Sequence, residues 1–511
     1  MRKVTLGLLL AAVIAAGVHW GTFAAGGSDS YCYANQAERW ASLLRGLLGG
    51  PPGQLQVREP LALTAPWPDA PLTFAPAGHL PSPTVRGALV PICPSGLSIF
   101  MAPLRLLGRD AIFLAVPLFG ALLVGATFAV GSRYGARMGL ASAVLTAASP
   151  IFLFQLMQPM SDVPAAALWM AAVAAATATK PRSPAIAGLA AGAAILVRPN
   201  LVVLGFPIGL FLLFRPERTW RERARAAVAY AAGAAGGCVA VALIQNSFYG
   251  SPFNSGYGSL GDLFALGHVG ANASREFRWM TGSHSPAWLL ALLAPFLLPG
   301  ALTGLLSSLV VVNVAAYLPY VVFDEWWYLR FLLPVIPIVI VLMTASVDAA
   351  WRRMRLPRAA AAAAAAAIGL TVFFLMQARE RQVFELRRLE SRYVTAGEFV
   401  ARRLPARALI LTSWESGSVR FYSRRPTLVW DQLDPAWLDR AIAYARAQGL
   451  EPYLLFERGE EPDFRRRFAG SAVAALDWPP MAEVAGRVRI YRPGDRERYL
   501  RGEPTTTEYA R

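Results

Sequence analysis

The chain has 511 residues, of which 55% are hydrophobic and only 16% are charged, and its mean hydropathy is +0.41. Because a soluble domain carries about 25% charged residues, this composition excludes an ordinary soluble globular protein. The net charge of +17 raises the question of nucleic-acid binding, which the distribution of charge along the chain answers. Three cysteines and four histidines are too few and too scattered to indicate a disulfide scaffold or a metal site.

Eleven apolar segments predict membrane-spanning helices, because roughly 17–25 apolar residues cross a bilayer. The first, residues 4–25, follows a short basic start, and we interpret it as an uncleaved transmembrane helix rather than a signal peptide. The others are residues 111–130, 138–156, 163–178, 184–197, 199–214, 223–244, 286–298, 300–322, 328–347 and 359–377. Residues 88–107 are apolar too, but their prolines and glycines make a poor helix, which indicates a re-entrant or interfacial segment.

Charged loops orient the predicted spans. With the N-terminus inside and the spans alternating, the inner loops hold 15 basic and three acidic residues, which is the asymmetry of the positive-inside rule. This distribution accounts for much of the net charge without nucleic acid. The predicted domains are a transmembrane domain at 1–378, which includes an external loop at 26–110, and an external domain at 379–511.

The C-terminal residues change in composition and predict a small α/β domain on the external, periplasmic side. Helices are expected at 378–403 and 435–448, and strands at 408–412, 452–456 and 488–491. Glu415 is the best site candidate of this domain, whereas Ser413 is expected to cap a helix. We expect the domain to serve acceptor access or partner contacts rather than chemistry.

Two acidic segments are predicted at the outer ends of membrane helices. Asp29 heads the first external loop, and Asp162 lies between two spans. The structural alternative is that Ser28 or Asp29, and Ser161 or Asp162, simply cap the helices that follow. Two carboxylates that face one external cavity would suit proton abstraction from a substrate. We expect the substrate pocket to be lined by their polar and aromatic neighbours Tyr31, Tyr33, Gln36, Glu38, Arg39 and Gln158, together with Asn200, Trp327 and Tyr328.

A third segment pair is cationic and aromatic: Arg198 with Asn200, and Arg330 with Trp327 and Tyr328. One interpretation is an aromatic belt at the membrane interface, with the arginines paired to Asp324 or Glu325. The other interpretation is a phosphate site at the bilayer surface, because guanidinium groups bind phosphate oxygens with two parallel hydrogen bonds.

The order of these segments resembles the GT-C glycosyltransferases, in particular the protein O-mannosyltransferase-like and aminoarabinose-transferase-like group. A short inner N-terminus, one span and a long external loop that opens with an aspartate are similar to that group. Pro94-Ser95-Gly96-Leu97 resembles its first-loop motif, although Ser95 stands where the group has a second proline. Segments 158–162, 196–200 and 328–334 are also similar to the group.

This resemblance implies transfer of a hexosyl or pentosyl group from a polyprenyl-phosphate carrier to a lipid, glycan or protein acceptor. It implies that Asp29 is the catalytic base, that Asp162 is a second acidic residue of the site, and that arginines bind the donor phosphate. No metal ligands are predicted. A divalent metal ion is the one cofactor that remains as an alternative. The expected location is the bacterial inner membrane.

Two alternatives remain open, a ligase or flippase of lipid-linked polymers and a polytopic transporter. A transporter predicts charged residues in mid-span, and few are present. Cys32 and Cys93 both lie in the first external loop, where they could form a disulfide in an oxidising compartment; alternatively, Cys32 is buried against Tyr31. Cys238 is predicted to pack within a span.

Overall fold

The computed structural model describes residues 2–51, 53–215, 219–354 and 359–510. Four charged residues that the predicted topology counts at the inner surface, Glu217, Arg218, Arg355 and Arg358, lie outside the described residues. The described α-helices are α1 (Arg2–Trp20), α2 (Asp29–Leu47), α3 (Leu61–Thr64), α4 (Ala70–Thr73), α5 (Gly96–Arg105), α6 (Ala115–Gly131), α7 (Ala136–Ala148), α8 (Pro150–Leu156), α9 (Asp162–Ala176), α10 (Ser183–Val197), α11 (Gly205–Leu213), α12 (Trp220–Tyr249), α13 (Leu260–Leu263), α14 (Val269–His284), α15 (Ala294–Leu297), α16 (Ala301–Tyr317), α17 (Ile336–Arg353), α18 (Ala359–Glu380), α19 (Leu386–Arg403), α20 (Ser416–Ser423), α21 (Leu438–Ala447), α22 (Glu461–Arg467) and α23 (Pro493–Leu500).

Strands and short 3₁₀ helices complete the described structure. The strands are β1 (Val57–Arg58), β2 (His79–Pro81), β3 (Ala88–Pro91), β4 (Ala408–Leu411), β5 (Thr427–Leu428), β6 (Glu451–Glu457), β7 (Ala482–Val484), β8 (Val488–Tyr491) and β9 (Glu508–Ala510). The 3₁₀ helices are Asp110–Leu114, Pro199–Leu204, Leu266–His268, Pro286–Leu293, Trp326–Leu332, Val383–Glu385, Trp430–Gln432, Pro435–Trp437 and Ala472–Ala475.

Every predicted apolar segment forms helix in the structure, but the helices differ in length. Asp110–Gly131, Trp220–Tyr249 and Ala361–Glu380 are each long and apolar enough to cross a membrane. Two further pairs could each form one bent span, which gives up to five such helices within the described residues. Most remaining apolar helices have 10–17 residues, so the count of eleven spans stays a prediction.

Prolines bend the two broken helix pairs. Ala136–Ala148 and Pro150–Leu156 meet at 60°, and Trp326–Leu332 and Ile336–Arg353 meet at 79°. Pro150 and Pro334 lie at these breaks, where a proline ring removes a helical hydrogen bond and clashes with the preceding turn. The second bend sets the short Trp326–Leu332 helix, and with it Arg330, at a steep angle to α17.

The first loop folds into its own small unit. Strand β3 pairs antiparallel with β1 and β2 in a three-stranded sheet, and α5 follows. Residues 88–107 therefore form a strand and a ten-residue helix rather than one continuous span.

The C-terminal residues form the predicted mixture of helices and sheet. The six-stranded sheet has the order β5-β4-β6-β8-β7-β9, with β4 parallel to β5 and β6, and β8 antiparallel to β6. The predicted strands are confirmed as β4, β6 and β8. Strands β5, β7 and β9 were not predicted, because two or three residues are too few to show alternation.

The C-terminal unit packs directly on the segment between α1 and α2. The Tyr422 hydroxyl accepts a hydrogen bond of 2.9 Å from the Ala25 amide. A Cβ atom on Gly26 would lie 2.2 Å from the Tyr393 ring, so only glycine permits this approach. The chain that leads into α2 is therefore held by the last quarter of the sequence.

Candidate active site

Asp29 and Asp162 each occupy the first position of a helix, α2 and α9. The preceding residues, Ser28 and Ser161, are the N-cap residues, and neither makes a side-chain capping hydrogen bond. The capping interpretation of these segments is therefore wrong for the described structure. The carboxylates instead pair with arginines from distant parts of the chain.

Asp162 forms a buried ion pair with Arg198. Its Oδ1 lies 3.0 Å from the Arg198 Nη2; the Asp162 side chain is fully buried, and that of Arg198 is 12% exposed. Helix α10 ends just before Arg198, because the following Pro199 disfavours helical geometry in the preceding residue. The two helix ends thus place opposite charges against each other away from water.

Asp29 pairs with Arg330 in a more accessible position. The carboxylate Oδ2 lies 3.5 Å from the Arg330 Nη1, and the Asp29 side chain is 35% exposed. Asp29 is therefore the more accessible of the two carboxylates to a substrate. The predicted pairing of Arg198 or Arg330 with Asp324 or Glu325 is wrong, because Asp324 forms an ion pair with Arg275.

An aromatic ring joins the two ion pairs into one site. The Arg198 and Arg330 guanidinium carbons lie 5.7 and 5.4 Å from the centroid of the Phe331 ring. Tyr317 stacks on Phe331 at 4.9 Å and accepts a hydrogen bond of 2.8 Å from the Asn200 amide. The two arginines, which come from segments far apart in the sequence, therefore lie close together.

Both guanidinium groups keep unused hydrogen-bond donors. Arg198 Nη1 and Arg330 Nε are buried and have no hydrogen-bond partner among the described residues. Buried N–H groups normally have an acceptor. These donors are therefore suited to an oxyanion, such as phosphate, bound between the two ion pairs.

Tyr33 connects α2 to the second acidic segment. Its hydroxyl donates to the Ser161 Oγ at 2.9 Å, and the Arg198 Nε donates to the same oxygen at 3.3 Å. Tyr33 and Asp29 are four residues apart and so lie on one face of the helix. The contact fixes the rotation of α2 that brings Asp29 to Arg330.

The first-loop motif holds α2 against α10. A Cβ atom on Gly96 would lie 2.4 Å from the backbone of Leu196 and Val197, so the start of α5 can approach α10 only with glycine there. Ser95 donates to the Gln36 amide oxygen at 2.8 Å, and Ser98 donates to the Tyr33 carbonyl at 2.9 Å.

Cys32 and Cys93 form a disulfide, with their Cα atoms 6.3 Å apart. Of the two alternatives for Cys32, the structure therefore has the disulfide, and the bond clamps the first turn of α2 to the segment that leads into α5. Cys238, predicted as a packing residue, is exposed on its helix, because α12 is only marginally covered by protein.

Loss of this disulfide is expected to destabilise the protein. Closing a loop of this size is worth about 4 kcal/mol by chain entropy. We expect the double variant Cys32→Ser/Cys93→Ser to unfold at a temperature lower by about 5 °C, measured on detergent-purified protein. The matched control Cys238→Ser should unfold with the wild type, and equal melting of all three proteins would contradict the structural role.

Several predicted pocket residues lie outside the site. Gln158, in the turn after α8, donates to the carbonyl of Phe154 at 3.1 Å, and Trp327 stacks on the Phe154 ring at 5.8 Å. Tyr328 does belong to the site, since Arg330 lies 5.2 Å from its ring centroid. Four members of the α2 segment point elsewhere, either into the packing against α5 or toward the C-terminal unit: Tyr31, Gln36, Glu38 and Arg39.

The structure adds residues that were not predicted as site members. Phe331 and Tyr317 supply the rings, Ser161 supplies the shared acceptor, and Tyr257 lies in the electrostatic surroundings of Arg198. Phe331 is next to Arg330 in the sequence and could have been included. Tyr317 and Tyr257 have no sequence signal that distinguishes them from other interfacial tyrosines.

The C-terminal candidate Glu415 is fully buried. Burial, opposed by a hydrogen bond from Ser418, raises its pKa to about 8. Ser413 does not cap a helix as predicted; its hydroxyl donates to Asp431 at 2.9 Å. Across the described residues, no cluster of three or more His, Cys, Asp or Glu side chains is arranged to hold a metal ion.

Part of the chain matches a known protein family. Residues 97–244 match the family described as dolichyl-phosphate-mannose-protein mannosyltransferase. The comparison with curated proteins finds no significant match. The resemblance to the GT-C glycosyltransferases that the sequence motifs indicated is thereby confirmed in the segment that carries Asp162 and Arg198.

Solved structures extend the likeness over nearly the whole chain. ArnT from Cupriavidus metallidurans bound to undecaprenyl phosphate is similar with a TM-score of 0.58 at 13% identity, over 96% of this chain and 98% of that one. The apo state of the same ArnT is similar with a TM-score of 0.57. The arabinofuranosyltransferase AftD from Mycobacteria gives 0.50 at 17% identity, over 89% of this chain but 37% of that one. The matched family and both structures are glycosyltransferases, and the fold of this chain is similar to the GT-C fold of those structures.

Proposed function

We propose that this protein transfers a sugar from a polyprenyl-phosphate carrier to an acceptor hydroxyl on the external face of the bacterial inner membrane. The observation that carries the proposal is the pair of carboxylate–guanidinium contacts, Asp29–Arg330 and Asp162–Arg198, around one aromatic ring in a GT-C fold. The undecaprenyl phosphate bound to the similar ArnT supports a donor of this class.

The residues supply each part that the reaction needs. Asp29 accepts the proton of the acceptor hydroxyl as its oxygen attacks the anomeric carbon of the sugar. The bond from that carbon to the phosphate oxygen breaks, and the polyprenyl phosphate leaves with the electron pair. The free donors of Arg198 and Arg330 stabilise the charge on the leaving phosphate.

Asp162 has a positioning role in this scheme. Its carboxylate is fully buried, so it holds the Arg198 guanidinium in place rather than accepting a proton from a bulky substrate. In the proposed topology, the N-terminus is cytoplasmic, and the first loop and residues 379–511 lie on the external side, near the acceptor.

Transfer of radiolabelled sugar from a synthetic polyprenyl-phosphate sugar, followed by thin-layer chromatography, tests the proposal. Purified protein should release the sugar from the carrier and form free polyprenyl phosphate. A transporter or flippase would leave the carrier bond intact, so an unchanged donor in the presence of candidate acceptors and of bulk water would contradict the proposal.

Replacement of Arg330 by alanine is expected to weaken donor binding more than acceptor binding. The change removes a guanidinium whose Nε has no partner in the described part of the chain, and a hydrogen bond from a charged donor is worth about 1.5–3 kcal/mol. The KM for the donor should therefore rise by at least about tenfold, with a smaller change for the acceptor. The exposed Arg352→Ala variant is the matched control, and equal effects on both substrates would count against a phosphate site.

A further inference from the structure

A second cationic site lies away from the proposed donor site, between the first loop and the C-terminal unit. A cavity of about 240 Å³ opens there, a volume of roughly eight water molecules. Tyr31 and His79 are buried at its base, with their rings 5.2 Å apart. Five arginines and two glutamates line it: Arg39, Arg58, Arg420, Arg424, Arg425, Glu38 and Glu59.

Both glutamates are already engaged. Glu59 forms an ion pair of 2.6 Å with Arg420. Glu38 is shared between Arg105 at 3.2 Å and Arg424 at 3.3 Å. The lining therefore has more guanidinium charge than its own carboxylates neutralise.

Arg39 and Arg58 carry the excess. Among the described residues, neither side chain makes a hydrogen bond or an ion pair within 4.0 Å, and the Nε of Arg39 is buried without an acceptor. Burial lowers the pKa of the Arg39 guanidinium, with Arg424 acting in the same direction. The Arg39 side chain is partly buried, and a guanidinium that loses water without gaining an acceptor is costly unless an anion accompanies it.

The neutral groups at the base are suited to a polar ligand. Burial lowers the pKa of His79 to about 3, with Arg420 adding to the shift, so the ring is neutral at physiological pH. The Asn35 amide lies 2.9 Å from the His79 Nε2. A cavity with unpaired guanidinium groups on its wall and neutral hydrogen-bonding groups at its base matches a sugar that carries an anionic group.

We propose that this cavity binds a phosphate- or carboxylate-bearing sugar through Arg39 and Arg58. The site is distinct from the one around Arg198 and Arg330. Asp29 and Arg39 are ten residues apart on α2, which is about 15 Å along the helix axis. The inference goes beyond the proposed function, since such binding needs no transfer of sugar.

Calorimetric titration of the full-length protein in detergent tests the site at low ionic strength, where charge contacts are least screened. The probes are glucose 1-phosphate, glucuronate, inorganic phosphate and neutral glucose. We expect glucose 1-phosphate or glucuronate to bind, and neutral glucose to bind at least tenfold more weakly. If inorganic phosphate binds as tightly as glucose 1-phosphate, the site recognises the oxyanion alone and not a sugar. If inorganic phosphate binds more weakly than glucose 1-phosphate, the sugar contributes to binding.

Variants locate the binding. Arg39→Gln and Arg58→Gln should each weaken binding of the probe at least tenfold, whereas Arg352→Gln, at an exposed position away from both sites, should leave the affinity unchanged. Arg58 is exposed, so its variant tests the site even if Arg39→Gln melts at a lower temperature. The proposal is overturned if neither anionic probe binds the wild type, or if Arg330→Gln abolishes binding while both cavity variants retain it.

Discussion

Replacement of Asp29 by asparagine is expected to reduce sugar transfer by at least about 100-fold, the lower end of what a positioned general base contributes. Asparagine has the size of aspartate and begins helices about as well, and the N-cap residue of α2 is Ser28 rather than Asp29. The change therefore removes basicity and leaves the helix intact. Initial rates at saturating donor and acceptor, measured on purified protein with an unchanged melting temperature, give the effect.

Asp324→Asn is the matched control for this variant. Asp324 lies in the same aromatic segment as Arg330. Its side chain is 83% exposed and pairs with Arg275 rather than with a residue of the site. Its variant should transfer sugar at the wild-type rate. A wild-type rate for Asp29→Asn would instead end the assignment of Asp29 as the base.

Replacement of Arg198 by alanine is expected to destabilise the protein by about 3–5 kcal/mol, because it leaves the Asp162 carboxylate buried without a partner. The expected result is a lower melting temperature and less folded protein in the membrane. The double variant Asp162→Asn/Arg198→Ala removes the stranded charge as well, so it should melt closer to the wild type while remaining impaired in transfer.

Arg352→Ala provides the comparison for stability. Arg352 is 73% exposed and pairs with Asp348 one helical turn away, and such surface pairs contribute about 0–1 kcal/mol. Equal melting of Arg198→Ala and Arg352→Ala would show that the buried pair does not stabilise the fold. Recovery of transfer in the double variant would show that Arg198 is dispensable for the reaction.

The apolar helices could be predicted because hydrophobic length is written directly in the sequence. The pairing of charges could not be predicted, since Asp29 and Arg330 are 301 positions apart in the sequence. The bend at Pro334 is needed to bring Arg330 to Asp29. Asp324 is closer to Arg330 along the chain, which favoured the wrong partner. That Asp324 and Arg330 are close in sequence does not show in which direction their side chains point near the bend at Pro334.

The α2 segment was predicted as one pocket, although helical spacing divides it into two faces. Asp29 and Tyr33 are four residues apart and face the proposed donor site. Tyr31, Asn35 and Glu38 follow the same spacing on another face, and they line the cavity beside the C-terminal unit. If residues 29–47 form a helix, the spacing of these residues predicts two faces. The sequence does not show which part of the protein packs against each face.

The hydrogen bond between the Ala25 amide and the Tyr422 hydroxyl spans 397 positions. A ribosome adds the chain from its N-terminus, at about 5–20 residues per second, so α1 and α2 are synthesised long before Tyr393 and Tyr422 emerge. The segment that leads into Asp29 therefore spends at least about 20 s of synthesis without its final neighbours. The turn that carries Asp29, the proposed base, therefore reaches its final packing only late in synthesis, after Tyr393 and Tyr422 have been added.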